Sequence, residues 1–268
     1  MKQKRYVPVL TIAGSDCSGG AGIQADIKTM MAHGCFAMSA ITALTAQNTT
    51  GVCAVEGVSI AMVADQIRMV CSDIMPRAVK TGMLFSADIV KVVAENLEYF
   101  EAKNLVVDPV MVSTSGSKLI SDDAIQTMVE KLFPLAALVT PNRAEAIALT
   151  GHTAPHLQAD VILGMGCRAV LLKGGDTDDK DFKTDYLYID DGTELELKLP
   201  AVDTPNTHGT GCTLSSAIAC RLALGHSMEE AVKGAKKWVN DAIRSGAEFE
   251  IGQGHGPVNH MHGLKCTL

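Results

Sequence analysis

The chain predicts an α/β protein on a mainly parallel sheet with a small antiparallel hairpin, and three observations lead there. Apolar, β-rich runs alternate with helical patterns almost from end to end, as right-handed β-α-β crossovers require. The runs "LVVDPV" (105–110) and "AVLLKGG" (169–175) are apolar without alternation, as strands covered on both faces are. "TDYLYID" and "TELELKL" instead alternate with period two around Asp191-Gly192, which is a hairpin signature.

The elements follow in order. "YVPVLTIAG" (6–14) reads as a buried first strand. Basic residues precede it as in a signal peptide, but the apolar run is short, lacks a clean cleavage pattern and leads into a Gly-rich turn. A helix over 21–34 stops at Gly34, and a strand over 35–48 leaves through a polar turn. Helix 61–71, the short strand 77–83 and helix 87–100 come next, the last with Ile89, Val92, Val93 and Leu97 on one stripe. Strand 103–111, helix 122–132 and strands 136–142 and 167–175 precede the hairpin at 184–199. Helices over 211–224 and 228–247 close the pattern. With no linker and no repeat, residues 1–268 read as a single domain.

Composition narrows the function. Apolar residues make up 47% and charged ones 20%, with a formal charge of −7, which supplies a core and argues against a nucleic-acid partner. No apolar stretch approaches membrane-spanning length. Eight cysteines form no CxxC pair, so neither a zinc site nor a thioredoxin-type motif is expected, and reduced thiols in the cytoplasm are. The partner is a small molecule whose anionic groups need backbone amides and a few cations.

In such folds ligands lie beyond the carboxyl ends of the strands. Seven loops stand there: 14–22, 46–51, 80–83, 108–111, 140–145, 173–176 and 206–212. Gly209, Thr210 and Gly211 turn into a helix, where amides and the helix end can make an anion site; an ordinary glycine turn is the alternative. Cys212 is a small buried residue or, at a helix N-terminus that lowers its pKa, a nucleophile or general base. Asn142 and Glu145 are either a capping box or, with Asp108, a site for hydrated Mg²⁺. Lys173 ends a buried strand, where a lysine is costly without a role, and its point charge suits transferred phosphates. Asp16, Asp26 and Gln47 are solvated or capping residues, or ligand contacts; the Gln47 amide suits a ring nitrogen beside an amine. The tail "HGPVNHMH" (255–262) reads as unliganded histidines.

Taken in order, "TIAGSDCSGGAGIQADIKT", "ITALTAQNTTGV", "KTGM", "DPVM", "TPNRAEA", "LLKGG" and "NTHGTGCTLSSAIA" closely resemble the hydroxymethylpyrimidine/phosphomethylpyrimidine kinases of thiamine biosynthesis, in the ribokinase-like superfamily. The resemblance runs from Leu10 to about His262, and its first and last motifs are the specific ones. It implies a three-layer α/β/α sandwich and phosphorylation, with ATP and Mg²⁺, of 4-amino-5-hydroxymethyl-2-methylpyrimidine and then of its monophosphate. It also implies a homodimer. By motif, Gly14, Ala21, Asp26, Gln47, Met83 and Val110 would contact the pyrimidine, with Cys212 beside the hydroxymethyl group. Lys173 would meet the phosphates; Asp108, Asn142 and Glu145 would face the Mg²⁺-triphosphate, with Asp108 and Glu145 as metal carboxylates. The 209–212 amides would form the anion hole, with Thr210 on the nucleotide side.

Two departures from the family pattern stand out. The stretch between Gly151 and Arg168 looks short, as if a helix were trimmed, and Asp176 follows "KGG" where the family has His. Pyridoxal kinase on the same scaffold is the nearest rival, and the "AQN" loop is what separates them. A non-catalytic nucleotide-binding protein is countered by Cys212, Lys173 and the glycine turn together, and a dinucleotide oxidoreductase by the missing GxGxxG.

Overall fold

A computed structural model of the chain describes residues 5–111, 120–175, 177 and 179–263. Nine strands among them make one sheet in the order β3-β2-β1-β4-β5-β6-β7-β8-β9. They are β1 (Pro8–Asp16), β2 (Phe36–Asn48), β3 (Gly51–Gly57), β4 (Ala78–Thr81), β5 (Leu105–Val107), β6 (Leu138–Val139), β7 (Ala169–Leu172), β8 (Phe182–Ile189) and β9 (Glu194–Pro200). The pairs from β2 through β7 are parallel, while β3, β8 and β9 pair antiparallel at the two edges. The hairpin therefore extends the sheet beyond β7.

Period-two alternation in the strands explains the layers. Val9, Ala78, Val106, Leu138, Ala169 and Leu171 pack on one side, against helices α1 (Gly22–Ala32), α7 (Thr210–Ala223) and α8 (Met228–Gly246). Leu10, Val79, Val107, Val139, Val170 and Leu172 face the other side. There they meet α2 (Ile60–Asp73), α3 (Ala87–Tyr99), α4 (Asp122–Thr127), α5 (Arg143–Thr150) and α6 (Pro155–Gly164). The result is the expected three-layer sandwich. Among the described residues, no helix is long and apolar enough to cross a membrane.

A trimmed helix is expected between Gly151 and Arg168, and α6 stands there with ten residues, started by Pro155 at its first turn and with almost no segregation of polar from apolar positions. Two features differ from expectation. β3 is a strand where the sequence reading has only the polar turn after β2; "GVCAVEG" carries glycine at both ends and as an edge strand needs apolar packing on neither face. The parallel strands are shorter than their apolar runs, since Pro109 and Pro141 end the ladders and release the loops that follow.

The chain steps from β1 to β2 on one side, then crosses back to place β4 on the other side of β1. That switch opens a crevice above the carboxyl end of β1. Asp16, which ends β1, and Gly82 and Met83, which follow β4, stand at its edges.

Candidate active site

The crevice holds a cavity of about 370 Å³. Its walls come from all seven expected loops, among them Gly14, Ala21, Gln47, Met83, Val110, Asn142, Glu145, Lys173 and residues 207–212. Gly14 forms the floor: a Cβ there would stand 2.5 Å from the Met83 Cε. Asp108 lines the back.

The turn before α7 shapes the opposite wall. Gly209 is its N-cap with φ +78, a conformation that disfavours other residues, and a Cβ there would lie only 1.9 Å from the Gly20 carbonyl oxygen. The loops 16–22 and 207–212 thus interlock. The Thr210 N–H is taken by the Thr207 carbonyl and the Thr213 N–H by the Gly209 carbonyl. Gly211 and Cys212, whose N–H groups a helix end leaves without intrahelical acceptors, line the cavity. Thr210 itself turns its hydroxyl back to the Thr207 carbonyl at 2.7 Å.

Lys173 closes this wall. Its Nζ donates to Asp108 Oδ1 at 2.8 Å, and Asp108 also accepts from Thr140 Oγ1 and Ser215 Oγ at 3.2 Å each. Burial works against both charges but is outweighed by their surroundings: Lys173 and Lys80 bring the Asp108 pKa down, and Asp108 and Glu145 bring the Lys173 pKa up. Asn142 and Glu145 do form a reciprocal capping box, with Oδ1 accepting from the Glu145 N–H at 2.9 Å and Glu145 Oε2 from the Asn142 N–H at 2.8 Å. Burial pushes the Glu145 carboxyl up, Lys173 pulls it back and Asp108 adds to the rise.

Cys212 stands at the lip of the cavity. Its pKa runs opposite to the lowering expected from the helix end. Burial pushes the thiol up to about 11, with Lys80 and the Gly22 N–H pulling it down and Asp26 and Asp108 pushing it further up. The resting group is a thiol.

Asp26 requires a correction. Its side chain is wholly buried between the sheet and α7, outside the cavity wall. Both oxygens accept from Lys80 Nζ, at 3.0 and 2.9 Å, and Thr11 Oγ1 and Ser216 Oγ donate at 2.6 and 2.7 Å. With every lone pair engaged, it holds Lys80 beneath Cys212 and does not reach a ligand. Asp16 is likewise far from solvated. It accepts from the N–H groups of Ser18, Gly20 and Ala21, from Ser18 Oγ and from His208 Nε2, all within 3.1 Å. Burial opposes its charge, but these donors, His208 foremost, hold the carboxyl far below its ordinary range.

A second cavity of about 490 Å³ adjoins the first. The two share Asn142, Lys173, Thr207, Thr210 and Gly211. Leu199 from the hairpin, Val202, Leu214, and Val239 and Ile243 from α8 give it apolar walls. At its floor Lys236 Nζ pairs with Asp185 Oδ2 at 2.7 Å, while Asp185 Oδ1 accepts from the Gly174 N–H at 2.9 Å. Sequence reasoning missed this wall, Lys80 and Ser215. Ser215 and Lys80 carry only the weak signal of polar residues inside apolar runs, whereas His208, beside the glycine turn, reads from the sequence as a partner of Cys212 or a turn residue and instead bonds to Asp16. Asp176 lies outside the described residues. Of the tail histidines, His260 is buried and bonds to Thr213 Oγ1 at 3.0 Å. No cluster of three His, Cys, Asp or Glu residues arranged for a metal occurs among the described residues.

Known proteins are similar to this chain in sequence and fold. The family described as phosphomethylpyrimidine kinase matches residues 16–259. A hydroxymethylpyrimidine/phosphomethylpyrimidine kinase of Rhizobium meliloti is 48% identical over 259 residues, covering 94% of this chain and 96% of that one. A thiamine biosynthetic bifunctional enzyme of Arabidopsis thaliana is 47% identical over 97% of this chain and 51% of its own length. The pyridoxal kinase of Staphylococcus aureus, solved with AMP-PCP and pyridoxal, superposes with a TM-score of 0.87 at 35% identity, covering 96% of this chain and 94% of that one.

Proposed function

Since the chain belongs to the phosphomethylpyrimidine kinase family, we propose the following division of labour for its site. The enzyme is a phosphotransferase of thiamine biosynthesis that uses ATP to phosphorylate 4-amino-5-hydroxymethyl-2-methylpyrimidine and then the resulting monophosphate. The observation that carries the site assignment is the pair of cavities meeting at Lys173 and Gly211. Two substrates that exchange a phosphoryl group need separate pockets with a shared boundary, and the boundary here is cationic and rich in N–H donors.

The smaller cavity takes the pyrimidine. Gly14, Ala21, Met83 and Val110 sandwich the ring, and the Gln47 carboxamide reads its edge. The larger cavity takes the nucleotide, its base between the hairpin and α8 and its phosphates toward Asn142, Thr210 and Lys173. Phosphoryl transfer needs chiefly positioning and charge stabilisation. Lys173 and the Gly211 and Cys212 N–H groups supply the charge where the transferred group passes, and the Gly209 turn fixes their direction. Cys212, once its thiol has ionised to the thiolate, accepts the hydroxymethyl proton in the first phosphorylation. In the second, the attacking oxygen belongs to a phosphate already largely ionised near neutral pH, with a second pKa of about 6, and no base is needed.

Mg²⁺ fits the donor set. Asp108 and Glu145 are two carboxylates on one wall, and Mg²⁺ keeps most of its waters and needs no more. Bound there with ATP, it would neutralise part of the triphosphate charge. Asp108 also anchors Lys173, and Glu145 also caps α5, so each has a structural duty beside this one.

Leu44 of β2 and Met62 and Met69 of α2 are large apolar side chains left exposed, which supports assembly as a homodimer, readable by sedimentation. Residence in the cytoplasm is in keeping with free cysteines throughout the described residues. Pyridoxal phosphorylation is the second reading, favoured by the likeness to the Staphylococcus aureus enzyme. One coupled assay of ATP consumption with the hydroxymethylpyrimidine, its monophosphate and pyridoxal tests both. The proposal expects the two pyrimidines to be turned over with the higher kcat/KM, and it fails if pyridoxal leads.

A further inference from the structure

His208 bridges two loops at the mouth of the smaller cavity. Its Nε2 lies 2.9 Å from Asp16 Oδ2 and 3.3 Å from a terminal atom of the Gln47 carboxamide. The other terminal atom of Gln47 lies 3.2 Å from Thr45 Oγ1, whose hydroxyl also reaches the Ser15 carbonyl at 2.9 Å. The two ends of a carboxamide exchange by a half-turn, and their partners decide which is which. Asp16 is a buried carboxylate that only accepts, so His208 Nε2 must carry a hydrogen toward it. With the Gln47 nitrogen facing His208, two N–H donors would oppose each other. With the carbonyl oxygen there, the His208 N–H is shared between Asp16 and Gln47. The Gln47 nitrogen then donates to Thr45 Oγ1, whose own hydrogen goes to Ser15.

This order gives His208 Nε2, Thr45 Oγ1 and one Gln47 N–H their acceptors and leaves the second Gln47 N–H for a ligand, and the surroundings hold it. His208 is 6% exposed, and its ring packs so closely on Gly20 that a Cβ there would stand 2.3 Å from His208 Cδ2. The Gln47 main chain is clasped by Cys17, whose Sγ donates to the Gln47 carbonyl at 3.1 Å and accepts from its N–H at 3.3 Å.

We infer that His208, held by Asp16, fixes the direction of the Gln47 carboxamide and thereby makes the cavity select an aminopyrimidine over pyridoxal. The inference rests on the functional reading above, with Gln47 against the ring edge. Next to the hydroxymethyl-bearing carbon, the pyrimidine carries an amine, which donates, and then a ring nitrogen, which accepts. The same two positions of pyridoxal carry an aldehyde oxygen, which accepts, and a hydroxyl, which donates. The two substrates therefore call for opposite carboxamide directions. A carbonyl locked toward His208 receives the amine on that side and offers an N–H to the ring nitrogen on the other. The aldehyde of pyridoxal would instead meet the carbonyl oxygen. His208 is thus a positioning residue for specificity.

The test compares His208→Leu with His208→Gln. The glutamine offers two N–H donors at a similar reach, so it can serve Asp16 and Gln47 together. Calorimetric titration of the intact protein with hydroxymethylpyrimidine and with pyridoxal reads the affinities. In His208→Leu the pyrimidine should bind about 10-fold more weakly, the effect of one lost hydrogen bond, with pyridoxal changed by less than about 3-fold. His208→Gln should restore pyrimidine affinity to within about 3-fold of the original. In a Gln47→Ala background, His208→Leu should add almost nothing, because the two residues act as one unit. Equal weakening toward both ligands, or a loss that persists without Gln47, would overturn the inference and leave His208 a packing residue. An unsubstituted protein that neither binds nor phosphorylates the pyrimidine would overturn the functional reading itself, a result distinct from either.

Discussion

Lys80 Nζ lies 2.9 Å from Asp26 Oδ2, with both side chains wholly removed from solvent. The pair sits between β4 and α1, under the residue proposed as the base. Burial opposes the Lys80 charge, but Asp26, Cys212 and Asp108 together outweigh it and raise the ammonium pKa.

Breaking a buried pair from one side leaves an uncompensated charge, which costs about 3–5 kcal/mol. Lys80→Met should therefore lower stability by about that amount in urea unfolding. Adding Asp26→Asn removes the stranded charge and should recover at least half. Failure of the second substitution to recover stability would mean that Lys80 contributes by packing.

Cys212→Ala separates the two phosphorylations. Loss of a general base slows a step by about 10²–10⁴-fold, and this should fall on the hydroxymethyl substrate alone, with less than about a tenfold effect on the monophosphate. Because burial holds the thiol near 11, the first-step kcat/KM should climb with pH across the range below that value. The alanine variant should lose that climb. Equal losses on both substrates would assign Cys212 to the anion-binding wall.

Gly14→Ala tests the floor of the smaller cavity. The new methyl would meet the flexible end of Met83 at 2.5 Å, which can shift only into the space left for the ring. KM for the pyrimidine should rise about 10-fold, the scale of a methylene-sized misfit, with melting temperature nearly unchanged. Met83→Ala in the same chain should restore much of the affinity. A large loss of stability instead would mean that the backbone of β1 had moved.

His260 gives a pH dependence of stability. Burial lowers its pKa from 6.5 to about 4, with Lys28 and His262 adding to the effect. The unfolded chain therefore binds the proton more readily, and the stability from a neutral His260 is present above pH 6.5 and lost as the pH falls toward 4. A shift of that size corresponds to about 3 kcal/mol. His260→Gln should flatten unfolding midpoints between those pH values; an unchanged slope would place the effect in other groups.

Most of the fold was legible, and so was the outline of the site. Continuous apolar runs marked the strands because both faces of a parallel sheet are covered, and loops after strands marked the crevice because their ends converge there. Cys212, Lys173 and Gln47 were placed at the crevice in this way, and Met83 through the family resemblance; all four line the cavity. Asp26 was misplaced because an acidic residue just past a loop reads alike whether it points to a ligand or to a buried lysine. Its partners Lys80 and Ser216 stand 54 and 190 positions away, and nothing local in the sequence announces such a meeting. The lowered Cys212 pKa expected from the helix end failed for a related reason. Desolvation depends on everything packed around a thiol, whereas a helix terminus can be read from its own turn. The apolar walls of the larger cavity come from a hairpin and a C-terminal helix whose residues look like ordinary core.

The interlock of Gly209 with the Gly20 carbonyl carries a consequence for the protein's synthesis. Asp16 meets His208 across 192 positions of chain, so the pocket is closed by the final third of the sequence folding back on the first thirty residues or so. Domains are made from the N-terminus at about 5–20 residues per second. Until α7 and α8 leave the ribosome, the sheet face bearing Val9, Val106, Leu138 and Leu171 is covered only by α1 for several seconds or longer. A nascent chain halted before residue 205 would lack both Cys212, the proposed base, and the full cover of that face. It would be inert and sticky, a natural client for chaperones or proteases.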